Sequence, residues 1–307
     1  MPAPPTIRRI TRDDWPAVAR LIHASTNAWY RANRGFDIFT GDADSCEWFP
    51  RVYDRLDGDA CLVAEDEGGE LIGSCFFHPR PTHVGLGIMN VAPAAFGTGV
   101  ARRLLRHVIA EADGRPVRLV SSAMNLDSFS LYTNAGFVPR QLYQDMQFES
   151  VEALPGERDS TRRATADDLD AIAALELEIS GIDRRSDWQH FIANVDGIWH
   201  TLVCDHGRRG IVGVLGSVRH PSSHMIGPGV ARDDHIAATL LSNQLAYHAD
   251  VHPDSQPVFL LPSDRATLVR YAYVWGARNL ETHVHNVLGD WQPFAGVNFP
   301  TFMPESG

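Results

Sequence analysis

The sequence predicts a mixed α/β fold, built twice in one chain. Three observations carry this. The first is length: 307 residues make about two domains of ordinary size. The second is internal repetition. IRRITRDDWPAVARL at 7–21 returns as TRRATADDLDAIAAL at 161–175. CLVAEDEGGELIG at 61–73 returns, ungapped and in the same order, as TLVCDHGRRGIVG at 201–213. The third is the order of elements: strands first, then helices interleaved with strands, as in a mixed sheet with helices on its faces. The predicted domains are 1–150 and 160–307, joined through the polar, Pro- and Gly-bearing stretch VEALPGERDS.

The first copy reads element by element. A strand at about 6–10 leads into a helix at about 12–25. Thr11 with Asp14, and Thr165 with Asp168 in the second copy, have the spacing of a capping box. A second helix lies within 42–57, and strands follow at 60–66, 70–78 and 83–92. The segments 61–73 and 201–213 each join two apolar runs through a polar turn, which reads as a hairpin. The helix at 99–113 is marked by Val100, Leu104, Leu105, Val108, Ile109 and Ala112, which line one face at helical spacing. A strand at 117–122, a helix at 126–135 and a last strand or hairpin to 149 complete the copy.

Composition narrows the function classes. Apolar residues make 44% and charged residues 21%, enough to build cores and too apolar for a mainly disordered chain. Lys+Arg 27 against Asp+Glu 38 gives a net charge of −11. That counts against nucleic acid as a partner and favours cationic or amine-bearing ones. The cysteines Cys46, Cys61, Cys75 and Cys204 form no CxxC pair. Their sparseness suits a reducing cytoplasm. The start, MPAPPT, lacks the pattern of a signal peptide, and no apolar run reaches the roughly 18 residues of a membrane span. The expectation is a cytoplasmic protein with no membrane partner.

The segment GIMNVAPAAFGTGVARRLL, at 87–105, carries the chemistry. An apolar strand runs to Val91, and Pro93 ends it. A loop of small residues then opens directly into a helix. Gly97 and Gly99 remove side chains where a ligand would approach backbone. Free N–H groups at a helix start form a seat for an anion such as a pyrophosphate, and Arg102 and Arg103 add charge nearby. A turn with no ligand is the plain alternative. The loop has no third glycine in a G-x-G-x-x-G frame and no Gly-Lys-Ser/Thr, so neither a Rossmann site nor a P-loop is expected.

The run V-x-P followed by FGTGVA resembles the acyl-CoA pyrophosphate loop of the GNAT superfamily of N-acetyltransferases, [RQ]-x-x-G-x-[GA]. Gly99 and Ala101 fall on the two small positions, and Phe96 stands where Arg or Gln is usual. NLDSFSLYTNAGF, at 125–137, resembles the superfamily's second signature and supplies Asn125, Ser128, Leu131, Tyr132, Gly136 and Phe137 in register. The resemblance implies two tandem GNAT-like domains, each a mixed central sheet flanked by helices, the first catalytic. It implies acetyl-CoA as acyl donor, held in a V-shaped gap between the fourth and fifth strands. The diphosphate would rest on main-chain amides of Phe96, Gly97, Thr98, Gly99, Val100, Ala101 and Arg102. The pantetheine arm and acyl carbonyl would lie on backbone around Met89, Asn90 and Val91.

The implied reaction is direct transfer to a primary amine on a small molecule or peptide, with no enzyme nucleophile and no metal. Tyr132 falls where the family protonates the leaving thiolate. Asn125 either positions the cofactor or caps the helix that follows it. An alkyl amine is neutral in only about one molecule in a few thousand at pH 7, so something must take a proton. Asp37, His78 and His83 are candidates, and Asn90 could order a water. In the aromatic segment 27–39, Tyr30 and Asp37 are the candidates for an acceptor wall. A non-catalytic acyl-CoA sensor and a transferase for longer acyl chains are the rival readings.

The second copy carries AATLL where the first has ARRLL. Asp233 and His235 then replace Gly97 and Gly99. Carboxylates repel a pyrophosphate and suit a helix N-cap instead. Ala272 stands opposite Tyr132, and Arg265 opposite Asn125. This copy is therefore expected to be degenerate and not to bind acyl-CoA. It would cover the acceptor cleft, form a homodimer surface or bind another ligand. His283 and His285 share one face of a strand in ETHVHNV, without an evident third metal ligand.

Overall fold

The computed structural model describes residues 4–148, 160–251, 256–302 and 305–306. The predicted junction lies almost wholly outside the described residues. The chain forms two compact units: Met1–Pro79 with Val84–Val117, and Arg80–His83 with Arg118–Gly307.

The first unit contains β1 (Thr6–Arg9), α1 (Trp15–Arg34), α2 (Trp48–Asp57), β2 (Cys61–Glu65), β3 (Leu71–Pro79), β4 (Val84–Val91) and α3 (Val100–Glu111). The four strands pair in chain order, all antiparallel. α1 runs nine residues beyond its predicted end at 25, because nothing in the sequence breaks it before Gly35. Gly35 closes it in the left-handed conformation, at φ 79°. α3 follows its sequence pattern, with Val100, Leu104, Leu105 and Val108 buried and the arginines outward.

β5 (Val117–Ser122) leads into the second unit, which continues with α4 (Leu126–Asn134), β6 (Val138–Phe148), β7 (Thr161–Arg163), α5 (Leu169–Ser180), α6 (Arg185–Ala193) and β8 (Trp199–Asp205). It goes on with β9 (Ile211–His220), β10 (Ser223–Ala231), α7 (Asp234–Val251), β11 (Val258–Pro262), α8 (Ala266–Val274), β12 (Ala277–Leu288) and β13 (Val297–Phe299), followed by a short two-stranded pair, Thr301–Phe302 with Glu305–Ser306. Its strand order is β5-β12-β6-β11-β10-β9-β8-β7, with β13 paired to β10. The sheet is mixed: β10 and β11 are parallel, whereas β6 is antiparallel to both its neighbours.

This order explains why the units do not follow the two copies. β6 belongs to the first copy, yet it lies between β11 and β12 of the second. β12, the last long strand of the second copy, pairs in turn with β5 of the first. The two copies exchange their final strands, and residues 118–148 become part of the second unit.

The repeat persists at atomic detail. The Asp14 carboxylate accepts from the Thr11 backbone at 2.7 Å and its hydroxyl at 2.9 Å. Asp168 does the same with Thr165, at 2.8 and 3.1 Å. Arg8 pairs with Asp14 and Glu65, and Arg162 with Asp168 and Asp205. Arg8 and Arg162 hydrogen-bond to Asp14 and Asp168 and hold both carboxyls down to about 2. Gly73 and Gly213, matched in the hairpin repeat, each lie under a helix. A Cβ at Gly73 would stand 2.6 Å from Val100 Cγ1, and one at Gly213 2.7 Å from Ile236 Cγ2. Both glycines let the long helix of their copy settle onto the sheet.

Candidate active site

The glycine turn stands where the sequence places it. Pro93–Ala95 make one tight turn after β4, and α3 begins at Val100. Gly97 and Gly99 have φ of 76° and 90°, which glycine adopts without strain. No atom lies within 4 Å of a Cβ built on either, beyond their chain neighbours, so the backbone faces open space. The first helical bond runs from Arg103 N–H to Gly99 C=O, at 3.1 Å. The N–H groups of Val100, Ala101 and Arg102 precede it and have no partner within the helix. Thr98 is held by its hydroxyl on Ala95 C=O, at 2.7 Å. Phe96 is 54% exposed, so its ring does not fill the turn. Arg102 and Arg103 are also exposed. The amides without a partner in the helix, with the helix dipole, give this turn a positive end of the kind that attracts anions.

Behind the turn, Val91, Asn90 and Met89 pair with Gly73, Ser74 and Cys75 of β3. The ladder shifts register between Cys75 and Phe77, a bulge that bends β4 just before Met89. The Asn90 side chain is buried and donates to Ser25 Oγ at 2.6 Å and Thr26 Oγ1 at 3.2 Å, which ties β4 to α1. Its Oδ1 accepts no hydrogen bond from a described residue.

The second signature lies in the second unit. Asn125 caps α4, with Oδ1 accepting from Ser128 N–H at 3.1 Å. The capping alternative therefore holds for its side chain. Tyr132 is buried on α4, its ring 5.8 Å from that of Phe137.

The candidate bases fare differently. Asp37 is engaged at the surface by Arg31, at 2.7 Å. His78 Nδ1 lies 2.6 Å from Asp57 Oδ2, both nearly fully buried. His83 is buried, and burial first, then the charges of Arg118, Arg184 and Arg80, push its pKa well below the ordinary value. Tyr30 packs against Trp29 and Phe36.

One group was missed by sequence reasoning. Asp145 on β6 stands directly opposite Glu281 on β12, and His283 lies two residues along the same strand. One ligand atom from each lies within 4.8 Å of the others. His285, which shares the His283 face, is fully buried, and burial, with Arg118 and Arg140, pushes it to about 3. No local motif could have shown this group, because only the strand exchange brings Asp145 to Glu281.

The second copy's turn is closed. Asp233 Oδ1 accepts from His235 N–H at 3.0 Å and Ile236 N–H at 2.9 Å, so a side chain occupies the helix start as expected. β10 pairs with β11 at Met225 and Ile226, and its register breaks after Ile226. From Gly229 to Ala231 it pairs with β13 instead. Val297 and Phe299 are fully buried there, and Asn298 accepts from the Tyr143 hydroxyl at 3.2 Å. Arg265 holds the Gly296 carbonyl just ahead of β13.

Residues 57–149 match a family model described as an acetyltransferase (GNAT) domain. No curated protein matches the chain. A solved structure from Pyrococcus horikoshii, assigned to the acetyltransferases, is similar at 15% identity and TM-score 0.75, covering 97% of this chain and 95% of that one. A GCN5-related N-acetyltransferase from Sphaerobacter thermophilus is similar at 16% identity and TM-score 0.66, covering 96% and 99%. A tandem GNAT protein from the clavulanic acid biosynthesis pathway is similar at 13% identity and TM-score 0.63, covering 92% and 98%. The fold is thus that of the GNAT acetyltransferases. The match to the GNAT domain model falls in the first copy, and along nearly its whole length the chain is similar in fold to a tandem GNAT protein. Among the described residues, no helix is long and apolar enough to cross a membrane.

Proposed function

We propose that the chain is an N-acetyltransferase that moves an acetyl group from acetyl-CoA directly to a primary amine, on a small molecule or a peptide. The observation that carries this is the open turn at Gly97 and Gly99, where the N–H groups that start α3 precede its first helical bond and, among the described residues, no atom beyond the chain neighbours lies within 4 Å of a Cβ position at either glycine. Val100, Ala101 and Arg102 would take the diphosphate, and the backbone of Met89, Asn90 and Val91 the pantetheine arm and acyl carbonyl. An N–H on that carbonyl would stabilise the oxyanion as the amine attacks. The C–N bond forms, the C–S bond breaks, the Tyr132 phenol gives the leaving thiolate its proton, and the proton shed by the nitrogen restores the phenol.

The test is thiol release from acetyl-CoA across a panel of amines, with acetyl-CoA binding followed separately by calorimetry. Tyr132→Phe is expected to lower turnover about 100-fold or more while binding stays within a few-fold. Binding without turnover on any amine would support the sensor reading, to which Phe96 at the Arg/Gln position belongs. A preference for longer acyl-CoA thioesters would revise the donor alone.

A further inference from the structure

We propose that Arg140, His285 and Trp291 form a binding site for a small carboxylate carried on an apolar or aromatic body. The site lies wholly within the second unit. It goes beyond the transfer reading and does not depend on it.

Its frame is a bulge. β6 and β12 pair at Gln141 with His285 and then at Pro139 with Asn286. Arg140 is the extra residue between them, with no partner across the ladder. A bulge bends its strand and re-aims a side chain, and such irregularities are over-represented beside functional sites. The exposed guanidinium of Arg140 stands over the Trp291 ring, 5.0 Å from its centre. It makes no ion pair or hydrogen bond with a described residue, so its N–H groups are available to a ligand.

Two buried rings beside it lack partners. His285 is fully buried, and neither of its ring nitrogens has a hydrogen-bond partner among the described residues. Trp291 Nε1 is buried and likewise without one. Buried polar groups are nearly always satisfied, so two such rings in one place call for an acceptor that the chain does not supply. Phe294 links them. Its ring stacks on His285, with centres 5.7 Å apart and planes 15° from parallel, and its centre lies 6.4 Å from that of Trp291. Burial, with the charges of Arg118 and Arg140, keeps the His285 imidazole neutral near pH 7, with one N–H to donate.

The donor set selects the ligand. A guanidinium, an indole N–H and an imidazole N–H want negatively charged oxygen, and a cation is the wrong partner for them. The flat fork of Arg140 matches the two oxygens of a carboxylate. Trp291 and Phe294 supply apolar walls, which suit the body that carries it. Both rings are half-buried and lie on segment 289–296, which contains neither helix nor strand. Binding turns Phe294 aside and brings the carboxylate against His285. The site exists through the strand exchange: Arg140 comes from the first copy, and His285 and Trp291 from the second.

The test is calorimetric titration of the full chain with sodium benzoate. Acetyl-CoA is left out, so the result is independent of whether the chain transfers acetyl groups. Saturable binding at one site per chain is expected, with the imidazole NMR signal of His285 shifting along the same curve; His285→Gln identifies that signal. Arg140→Gln changes an exposed residue and should weaken benzoate about 10-fold or more. Arg140→Lys keeps the charge without the fork and should restore only part of the affinity. Trp291→Phe keeps a ring but loses the N–H, and should weaken binding a few-fold. Benzamide, which lacks the charge, and inorganic phosphate, which lacks the apolar body, should each bind at least about 10-fold more weakly than benzoate. Thermal melts identify variants that misfold. No saturable benzoate binding by the wild type, or undiminished binding by folded Arg140→Gln, overturns the proposal. Phosphate or benzamide binding as tight as benzoate overturns it too, since the site would then not be reading a carboxylate on an apolar body.

Discussion

The two helix starts at Val100 and Asp234 derive from the same repeat and have come to opposite ends. In the first, two glycines leave the space beside the helix start open. In the second, Asp233 satisfies those amides itself, and β13 lies along the strand edge that β11 has left. The surrounding scaffold has hardly changed: the capping boxes, their arginines and the glycine beneath each long helix remain. The difference teaches that what a helix start presents is set by a few local residues and not by the scaffold. A single carboxylate at Asp233 changes it while the fold around it stays.

That comparison can be broken most forcefully at Phe299. Its fully buried ring anchors β13, and Phe299→Ala should cost about 3–5 kcal/mol in denaturant unfolding. It should not confer acetyl-CoA binding on the second copy, because Asp233 still caps α7; a second binding event in calorimetry would show that β13 alone closes that copy. Next in size is the reciprocal change, Gly97→Asp, which places the second copy's residue in the first. A side chain at φ 76° and a carboxylate beside the diphosphate should weaken acetyl-CoA at least about 100-fold, or roughly 2.7 kcal/mol. Unchanged affinity would show that the turn does not hold the donor.

Gly73→Ala and Gly213→Ala test what the copies share. Each methyl group would strike the helix above it, so both should lose about 1–3 kcal/mol, and by similar amounts. A large inequality would mean that the two helices no longer sit alike. The smallest effect concerns acid. Asp14 and Asp168 are held near 2 by their arginines, against 3.8 when unpaired. Their stabilisation is complete above the unpaired value and is lost as the pH falls toward about 2. Wild type should therefore lose more stability than Asp14→Asn or Asp168→Asn between about pH 5 and pH 2, and the two variants should behave alike.

The periodic and local features were legible in the sequence. The repeat, the α3 stripe, the glycine turn and both capping boxes depend on residues a few positions apart. α1 was read too short because no early breaker marks its end, and Gly35 lies well beyond the last capping signal. The partners of β6 were not legible, since an alternating strand pairs equally well with any edge of matching register. The group at Asp145, Glu281 and His283 was missed for that reason. ETHVHNV suggested His283 and His285 as a pair, whereas the pairing of β6 with β12 joins His283 to two carboxylates instead.

The exchange of β6 and β12 also bears on ancestry. A protein that arose by duplication can ordinarily be cut back to one copy, but here each half holds a piece of the other's sheet. A fragment ending at the repeat junction would carry β6 without β11 or β12, and two such fragments would complete each other only by trading that strand between chains.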